Sequence, residues 1–280
     1  MGKVALTRLD DVSPFRKVAM GTWKTAKDPS VYGIVEIDMQ KTLEQLPDYC
    51  QRHEVKITPA HLVGRAIARC MKNRPEINGM IRGSRIYLRK NVSIFYQVNI
   101  PGEGTDKIKK ATLSGAILHE VEKMSTAQIS QNLFDKAAQI RAGKDKELAK
   151  NLNMFKYLPW CLSRFYLNLA SFLIYGLNWN LAWAGIPKDP FGSIMITNVG
   201  SLGIDLALAP LCPYTRVPLL LTLGSIQEKA WVVSGKVEVR PILPIGVTFD
   251  HRLIDGIHAS QMAQEFKKCF AEPEKYLFND

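Results

Sequence analysis

The stretch GVTFDHRLIDGIHAS, residues 246–260, places a histidine where an apolar run ends and a helix is predicted to begin. The run before it is typical of a strand, and the Asp255-Gly256 pair after it is typical of a turn. His251 is therefore predicted at the end of a strand, where sheets often present functional groups. An imidazole whose tautomer is fixed by a backbone hydrogen bond can act as a general base near neutral pH. A lone histidine is more often a plain surface or core residue, so both interpretations stay open here.

The chain has 280 residues, of which 46% are hydrophobic and 22% are charged, so it can bury a sizeable core. Its five cysteines are scattered, odd in number and without a CxxC spacing. They are typical of reduced cysteines in a cytosolic protein and not of a disulfide framework or a zinc site. The amino-terminal stretch lacks the apolar core of a secretory signal. We therefore expect a cytoplasmic protein, with peripheral contact to a membrane left open.

The formal net charge of +11 would suit nucleic acid, an anionic lipid or a phosphorylated ligand. No zinc-finger, RNP or similar signature accompanies this charge, so we predict no nucleic-acid partner and expect a polyphosphate cofactor or a membrane surface. The five histidines form neither HExxH nor another metal-ligand spacing, and no metal is expected. The sequence also lacks a phosphate-binding loop and a nucleophile elbow, which argues against kinases and hydrolases.

Hydrophobic periodicity predicts helices and strands without strict βαβ alternation. Residues 58–77 begin with an N-cap threonine and a proline at the first helical position, and Pro75 ends this predicted helix. Another helix is predicted within the second part of 114–152 and a last one at about 256–271. Strands are predicted within 30–39, 85–100 (two strands around Lys90-Asn91), 192–200, 217–226, 229–235 and 236–250. This order predicts an α+β layered domain with a mixed sheet.

One segment differs from the rest of this single predicted domain of residues 1–280. Residues 165–187 contain no charged side chain, and we treat residues 154–187 as a hydrophobic insertion. The segment is long enough to span a bilayer, but its asparagines and Gly176 argue against a span. Its tryptophans and tyrosines are enriched at both membrane and protein interfaces. Burial inside an oligomer or over a pocket, monotopic membrane contact and a true span therefore remain three alternatives.

Several stretches resemble one enzyme family. FDHRLIDG (249–256) resembles the H-R-x-x-D-G signature of dihydrolipoyl acyltransferases, the core enzymes of 2-oxo acid dehydrogenase complexes. DGIHASQMAQEF (255–266) is similar to chloramphenicol acetyltransferases, which share the fold, and IMITNVGSLGID (194–205) is similar to the T-I-S-N-L-G segment of the acyltransferases. Residues 58–98 follow the helix-then-strand pattern of both groups, whereas residues 150–190 are not covered. The resemblance implies a two-layer α/β sandwich of the chloramphenicol acetyltransferase type that forms trimers.

The resemblance also implies CoA-dependent acyl transfer to a thiol or hydroxyl acceptor. His251 would take the acceptor's proton, and Thr197 would donate a hydrogen bond to the tetrahedral oxyanion. Preorganised donors of this kind contribute roughly 3–4 kcal/mol each. Without the resemblance, Thr197 would be interpreted as an ordinary strand threonine. Coenzyme A enters as the acyl-CoA co-substrate, and its phosphates would favour a basic pocket mouth, to which residues 106–114 and Lys229 are candidate contributors.

A second group of residues would support the site. In the family, the aspartate matching Asp255 forms a structural ion pair with an amino-terminal arginine, for which Arg16 is the candidate and Arg252 a local alternative. Gly256 is expected to serve a close backbone approach or an unusual φ. Asn198, beside the predicted oxyanion donor, is also expected to support the site. His258 matches a histidine of the chloramphenicol acetyltransferases and is expected to have a structural role.

The expected assembly is a homotrimer with the site between subunits, and further assembly into a hollow cage stays open. No lipoyl domain or linker precedes the matched stretches, so we expect a stand-alone catalytic domain with an unassigned acceptor that is free, protein-bound or lipid-like. A competing hypothesis is a non-catalytic trimeric scaffold that uses residues 154–187 to bind a partner or a membrane. Joint retention of the residues matching the family's site favours the enzyme.

Overall fold

A computed structural model describes residues 28–82, 85–100, 112–142, 160–181 and 189–279. Its described part contains one large sheet, a small hairpin and helices packed on the large sheet. The strands are β1 (Ser30–Asp38), β2 (Gly79–Arg82), β3 (Arg85–Leu88), β4 (Ile94–Ile100), β5 (Thr112–Leu118), β6 (Ile194–Asn198), β7 (Leu219–Leu223), β8 (Gln227–Val233) and β9 (Lys236–Asp250). The helices are α1 (Gln40–His53), α2 (Pro59–Asn73), α3 (Thr126–Arg141), α4 (Trp160–Ser171), α5 (Gly256–Ala271) and α6 (Pro273–Tyr276).

The large sheet has the strand order β1-β9-β7-β6-β4-β5, with β8 paired to the first half of β9. β6 runs parallel to β4 and to β7, whereas the other neighbours in this sheet are antiparallel. The predicted mixed sheet is therefore confirmed. β9 is the longest strand because it serves two partners in succession, pairing first with β8 and then with β1. The last residues of β9 also pair with β7. The strand end that precedes His251 is therefore flanked by β1 on one side and by β7 on the other.

The two faces of the sheet have different chemistry because side chains alternate along each strand. One face is apolar and packs on α2 and α5, with buried residues such as Ile196, Leu221 and Ile245 in the central strands. The other face carries a row of threonines: Thr197, Thr222 and Thr248 on β6, β7 and β9. This threonine row is partly covered by the 204–210 segment, and Thr248 Oγ1 donates to the carbonyl oxygen of Ala209 at 2.7 Å.

The start of α2 follows the sequence prediction closely. Thr58 is the N-cap and Pro59 the first helical residue, and the helix ends before Pro75. The imidazole of His61 occupies the third helical position, and its Nδ1 accepts from the backbone N–H of Thr58 at 3.2 Å. This arrangement is a capping box in which histidine replaces the usual glutamate or glutamine. It satisfies backbone donors that the helix itself leaves unpaired.

In its described part, the hydrophobic insertion is helical from Trp160 to Gly176. α4 continues into a single π-helical turn, Phe172–Gly176, whose buried Ile174 and Tyr175 pack with Leu181 against Met80 of β2. Arg82 Nε donates to the carbonyl oxygen of Gly176 at 2.6 Å and ties the turn to the β2–β3 hairpin. Within residues 160–181 and the other described ranges, no helix is long and apolar enough to cross a membrane.

Candidate active site

His251 lies in a tight turn that connects β9 to α5. Its backbone N–H donates to the carbonyl oxygen of Pro29, just before β1, at 2.9 Å. The carbonyl oxygen of Asp250 accepts from the backbone N–H groups of Leu253 and Ile254 at 2.9 and 3.0 Å, which closes the turn. The His251 side chain is exposed. The backbone is thus held on both sides while the imidazole is exposed to solvent.

An ion pair within the turn fixes this geometry. Asp250 is buried at the end of β9, and its carboxylate receives Arg252 Nε at 2.9 Å and Arg252 Nη2 at 2.6 Å. The backbone N–H of Arg252 also donates to this carboxylate at 3.0 Å. The hydrogen bond to Asp250 raises the pKa of the Arg252 guanidinium. The two residues that flank His251 in sequence therefore bind each other and hold the backbone of the turn on both sides of it.

This ion pair corrects one alternative from the sequence. Arg252 was considered as the partner of Asp255, but it pairs with Asp250. Asp250 was not predicted as a site residue, although a carboxylate at the end of an apolar strand and two positions before an arginine was the available signal. Arg16, the other candidate partner of Asp255, lies outside the described residues, so that ion pair stays a prediction.

Asp255 caps α5. Its carboxylate accepts from the backbone N–H groups of Ile257 and His258, both at 2.9 Å. The hydrogen bond from the His258 backbone, together with the nearby imidazole, lowers the pKa of the Asp255 carboxyl. His258 Nδ1 lies 2.8 Å from Asp255 Oδ1 and 3.4 Å from the Asp255 backbone nitrogen. The Asp255 backbone N–H donates to His258 Nδ1, so the two residues form a capping box at the start of α5.

Gly256 does not have either property that we expected. It is the first residue of α5, and its φ lies outside the left-handed region. A Cβ added to this glycine would meet no atom within 4 Å among the described residues. The expectation of a close approach or an unusual φ was therefore wrong for this part of the chain. The absence of a side chain leaves the start of α5 open beside the His251 turn.

Thr197 and Asn198 end β6 at the far side of the sheet. Thr197 is half-buried and lies in register with Thr222 of β7. Asn198 closes the following turn, because its Oδ1 accepts from the Ser201 backbone N–H at 3.2 Å and its carbonyl oxygen accepts from Ser201 Oγ at 2.8 Å. Asn198 thus holds the end of the strand on which the Thr197 hydroxyl is displayed.

A single chain does not bring Thr197 and His251 together. Thr222 pairs with Gly246 of β9, so Thr197 lies at the level of Gly246, five residues before His251, which directly follows the last residue of β9. At a rise of about 3.3 Å per residue, the two levels are separated by about 16 Å along the strand, and by two strand spacings across it. A base and an oxyanion donor must both reach one carbonyl group within hydrogen-bonding distance. Within one chain, the register of the sheet therefore does not place Thr197 and His251 around one carbonyl group.

Residues 7–149 and 191–278 match the family described as 2-oxoacid dehydrogenases acyltransferase (catalytic domain). The chain belongs to this family. The predicted resemblance is thereby confirmed, and with it the assignment of the chain to an acyltransferase family that uses CoA thioesters. The match leaves out residues 150–190, which contain the hydrophobic insertion.

The curated relatives are longer than this chain. A dihydrolipoyllysine-residue succinyltransferase component of the 2-oxoglutarate dehydrogenase complex from Rickettsia typhi is 25% identical over 248 residues, which cover 87% of this chain and 50% of that protein. A dihydrolipoyllysine-residue acetyltransferase component of the pyruvate dehydrogenase complex from Acholeplasma laidlawii is 21% identical over 227 residues, covering 80% of this chain and 32% of that one. The chain thus spans about half or less of the length of these relatives.

Solved structures share the fold. The cubic core of a pyruvate dehydrogenase multienzyme complex has a TM-score of 0.64 at 16% identity, with 99% of this chain and 100% of that chain covered. A probable dihydrolipoamide acetyltransferase from Listeria monocytogenes has a TM-score of 0.63 at 15% identity, with 95% of each chain covered. The α+β fold with a mixed sheet that we predicted is therefore the fold of these acyltransferases.

Proposed function

We propose that this protein is a CoA-dependent acyltransferase in which His251 is the general base. The supporting observation is the exposed imidazole on a turn clamped by Asp250 and Arg252, within a chain of an acyltransferase family. The imidazole removes the proton of an acceptor thiol or hydroxyl while the acceptor's sulfur or oxygen attacks the thioester carbonyl carbon. The tetrahedral intermediate then expels the CoA thiolate as the carbon–sulfur bond breaks, and the imidazolium returns its proton to that thiolate.

The oxyanion donor comes from a second subunit in this proposal. The levels of Thr197 and His251 differ by about 16 Å along the strand, so the hydroxyl that serves one His251 belongs to a neighbouring chain. A homotrimer provides such a site at each of its interfaces. The cubic core among the similar structures supports closed assembly of this fold. Exposed valines on the β8–β9 hairpin, Val232, Val237 and Val239, add apolar surface for subunit contact.

A related enzyme supports the choice of residue types. Azotobacter vinelandii dihydrolipoamide acetyltransferase, which is 16% identical, has been investigated for the catalytic roles of a serine, a histidine and an asparagine. Its histidine and asparagine are four positions apart, as are His251 and Asp255. A hydroxyl residue, a histidine and a polar residue four positions later are the same kinds of group that this chain offers.

The acceptor to test first is a dihydrolipoyl thiol, because the curated relatives are named for transfer to a dihydrolipoyllysine residue. Lys229 was expected to contribute to a basic pocket mouth for CoA. Its ammonium lies 2.5 Å from Glu36 Oε1, so the carboxylate offsets its positive charge. Most of the other expected basic segment, residues 106–114, lies outside the described residues. We therefore assign no CoA-contacting residue.

The surface of α4 favours an additional docking role for residues 154–187. Leu162, Phe165, Leu169 and Phe172 follow one another at spacings of three and four, so they form one stripe of the helix. Each is exposed in the described chain, Phe165 to 67%. An exposed stripe of large apolar side chains marks an interaction surface for a protein partner or a membrane interface. The scaffold alternative would use the same stripe without catalysis.

The test of the proposed function is turnover with matched histidine variants. CoA release from acetyl-CoA and succinyl-CoA is measured with dihydrolipoamide for wild type, His251→Ala and His119→Ala. Loss of a general base lowers kcat by about 10²- to 10⁴-fold, so His251→Ala should lose at least about 100-fold. His119 is an exposed histidine that follows β5, four strands away from β9 in the sheet, and its ring contacts Ser93. His119→Ala should therefore keep the wild-type rate.

Two outcomes would contradict the proposed function. Equal rates in wild type and His251→Ala would remove the histidine from the chemistry. A folded wild-type protein that neither turns over nor binds CoA in a calorimetric titration would be the scaffold, since a scaffold has no reason to keep a cofactor site.

A further inference from the structure

An apolar cavity of about 190 Å³ lies between the edge of the sheet and α5. It is lined by backbone and side chains of β1, by the last residues of β9 and by the inward face of α5, and almost all of its wall is apolar. The residues that matter here are Gly33, Val247, Phe249, Ala259, Ala263 and Phe266.

Small residues on two elements create this cavity. On β1, Val31 and Val35 point toward the helices and pack on the core, and Gly33 between them has no side chain to fill the space. A Cβ added to Gly33 would meet nothing within 4 Å. On α5, Ala259 and Ala263 are one helical turn apart and face the same space. A glycine inside a strand interior weakens the strand, which makes its presence beside an unfilled space notable.

The cavity lies close to the proposed catalytic base. Phe249 is two residues before His251, and Ala259 is in the first turn of the helix that follows the His251 turn. Ser30 pairs with Asp250 and Gly33 with Val247, so Gly33 is three strand positions from the end of β9. At about 3.3 Å per residue, Gly33 lies about 13 Å from the level of His251, and Phe249 lies about 7 Å from it. An acyl chain whose carbonyl lies beside the His251 imidazole therefore enters the cavity from its Phe249 end.

We propose that the cavity holds the acyl chain of the thioester, and that the enzyme prefers apolar acyl groups of about six carbons. This inference rests on the proposed function and adds its acyl-group class. An apolar cavity of about 150 Å³ accommodates benzene, so the present volume suits a chain of similar carbon count. A succinyl group does not fit, because its carboxylate would be buried without a hydrogen-bond partner in an apolar wall.

The test compares acyl groups in wild type and in variants that fill the cavity. kcat/KM is measured with acetyl-CoA, hexanoyl-CoA and succinyl-CoA for wild type, Gly33→Val, Ala263→Leu and Ala271→Leu. Each buried methylene is worth about fourfold in affinity, so wild type should favour hexanoyl-CoA over acetyl-CoA by at least about 10-fold. Both cavity-filling variants should lose this preference, whereas the control Ala271→Leu, at the exposed end of α5, should retain it.

Folding is checked in the same variants. Gly33→Val replaces a glycine in a strand with a strand-favouring residue that has space for its side chain, so its melting temperature should equal or exceed that of wild type. A lost hexanoyl preference in this variant then reflects a filled cavity and not unfolding. Wild type without a hexanoyl preference, or a preference that survives in both filled variants, overturns the inference.

A non-reactive ligand separates this inference from the proposed function. Calorimetry compares the affinity of CoA with that of S-hexyl-CoA, a thioether that cannot transfer its chain. If the cavity holds the chain, S-hexyl-CoA binds at least about 10-fold more tightly than CoA to wild type and not to Gly33→Val. Absence of turnover with every acyl-CoA would contradict the proposed function, whereas equal affinity of the two ligands in wild type would contradict the cavity assignment.

Discussion

In the proposed mechanism, stabilisation of the oxyanion depends on one side-chain group, the hydroxyl of Thr197. Removal of one oxyanion donor costs about 10²- to 10³-fold in kcat in well-studied hydrolases. Thr197→Ala should therefore lower kcat by that factor with little change in KM, and Thr197→Ser should retain most of the rate because it keeps the hydroxyl. Steady-state measurement of kcat and KM for the two variants tests whether the hydroxyl has this role. Equal losses in both would assign Thr197 to packing within β6.

A buried histidine away from the site makes stability depend on pH. Desolvation lowers the pKa of His61 to about 4, and Nδ1 of the neutral ring accepts from the Thr58 backbone. The unfolded chain, with an ordinary histidine pKa near 6.5, binds this proton more readily than the folded chain does. His61 therefore contributes stability that is present above pH 6.5 and is lost as the pH falls toward 4. The loss is of the order of 2–3 kcal/mol.

The measurement is the free energy of unfolding by denaturant between pH 7.5 and 4, with His61→Gln as the matched variant. Glutamine suits the same capping-box position, since its side-chain oxygen can accept from Thr58 without titrating. We expect a flatter pH dependence in His61→Gln over this window. Identical slopes in the two proteins would show that another group controls the acid loss.

The sequence motif around His251 predicted some features of this turn and missed others. The motif identified His251 and the polar residues near it, and it placed them in the turn where they lie. It did not assign the ion pair, because Arg252 can reach Asp250 or Asp255 depending on the backbone of the turn. In the structure, Asp250 at the end of β9 binds the Arg252 guanidinium. Asp255 instead accepts from the backbone at the start of α5.

At the scale of elements, the start of α5 positions the turn that carries His251. Asp255 accepts from two backbone N–H groups there, so Asp255→Ala should lower the melting temperature by a few degrees, whereas Asp255→Asn should keep the cap. Thermal unfolding followed by circular dichroism measures both. An unchanged melting temperature in Asp255→Ala would contradict the structural role.

Acid titration adds an independent check on Asp255. The backbone hydrogen bonds and the imidazole lower its carboxyl pKa below the unfolded value, so the folded chain releases this proton more readily than the unfolded chain does. The stability from Asp255 is present above the unfolded pKa and is lost as the pH falls through the folded one. Wild type should therefore lose stability in acid more steeply than Asp255→Asn. Parallel acid unfolding curves would argue against a charged cap.

Most elements were predictable because local chemistry specifies them. Thr58 and Pro59 predicted the start of α2 through an N-cap and a proline at the first helical position. α5 was predicted from its periodicity, and the structure adds Asp255 as its N-cap. α1 was not predicted, since Pro47 lies inside it and its tertiary contacts outweigh that penalty. The π-helical turn after α4 was also not predicted, because its packing on β2 involves residues distant in sequence.

In the whole molecule, the proposed mechanism requires two chains for one site, because Thr197 and His251 lie apart within one chain. Sheet register cannot be derived from local pattern, and it is the register that places Thr197 at one end of the sheet and His251 at the other. The sequence resemblance implied a site between subunits, and the separation within one chain is the physical reason that such a site is needed. The cavity beside α5 likewise arises from two small residues and a glycine on elements far apart in sequence.

The most direct test of this account is complementation between inactive subunits. His251→Ala and Thr197→Ala chains carrying different affinity tags are unfolded, mixed in equal amounts and refolded together, with wild type treated in parallel as the refolding control. If each site takes its base from one subunit and its oxyanion donor from the next, random assembly leaves both groups intact in about a quarter of the sites. We predict recovery of about a quarter of wild-type turnover, far above either variant alone. Mixed assemblies, captured through both tags, that remain as inactive as their parents would contradict the shared site.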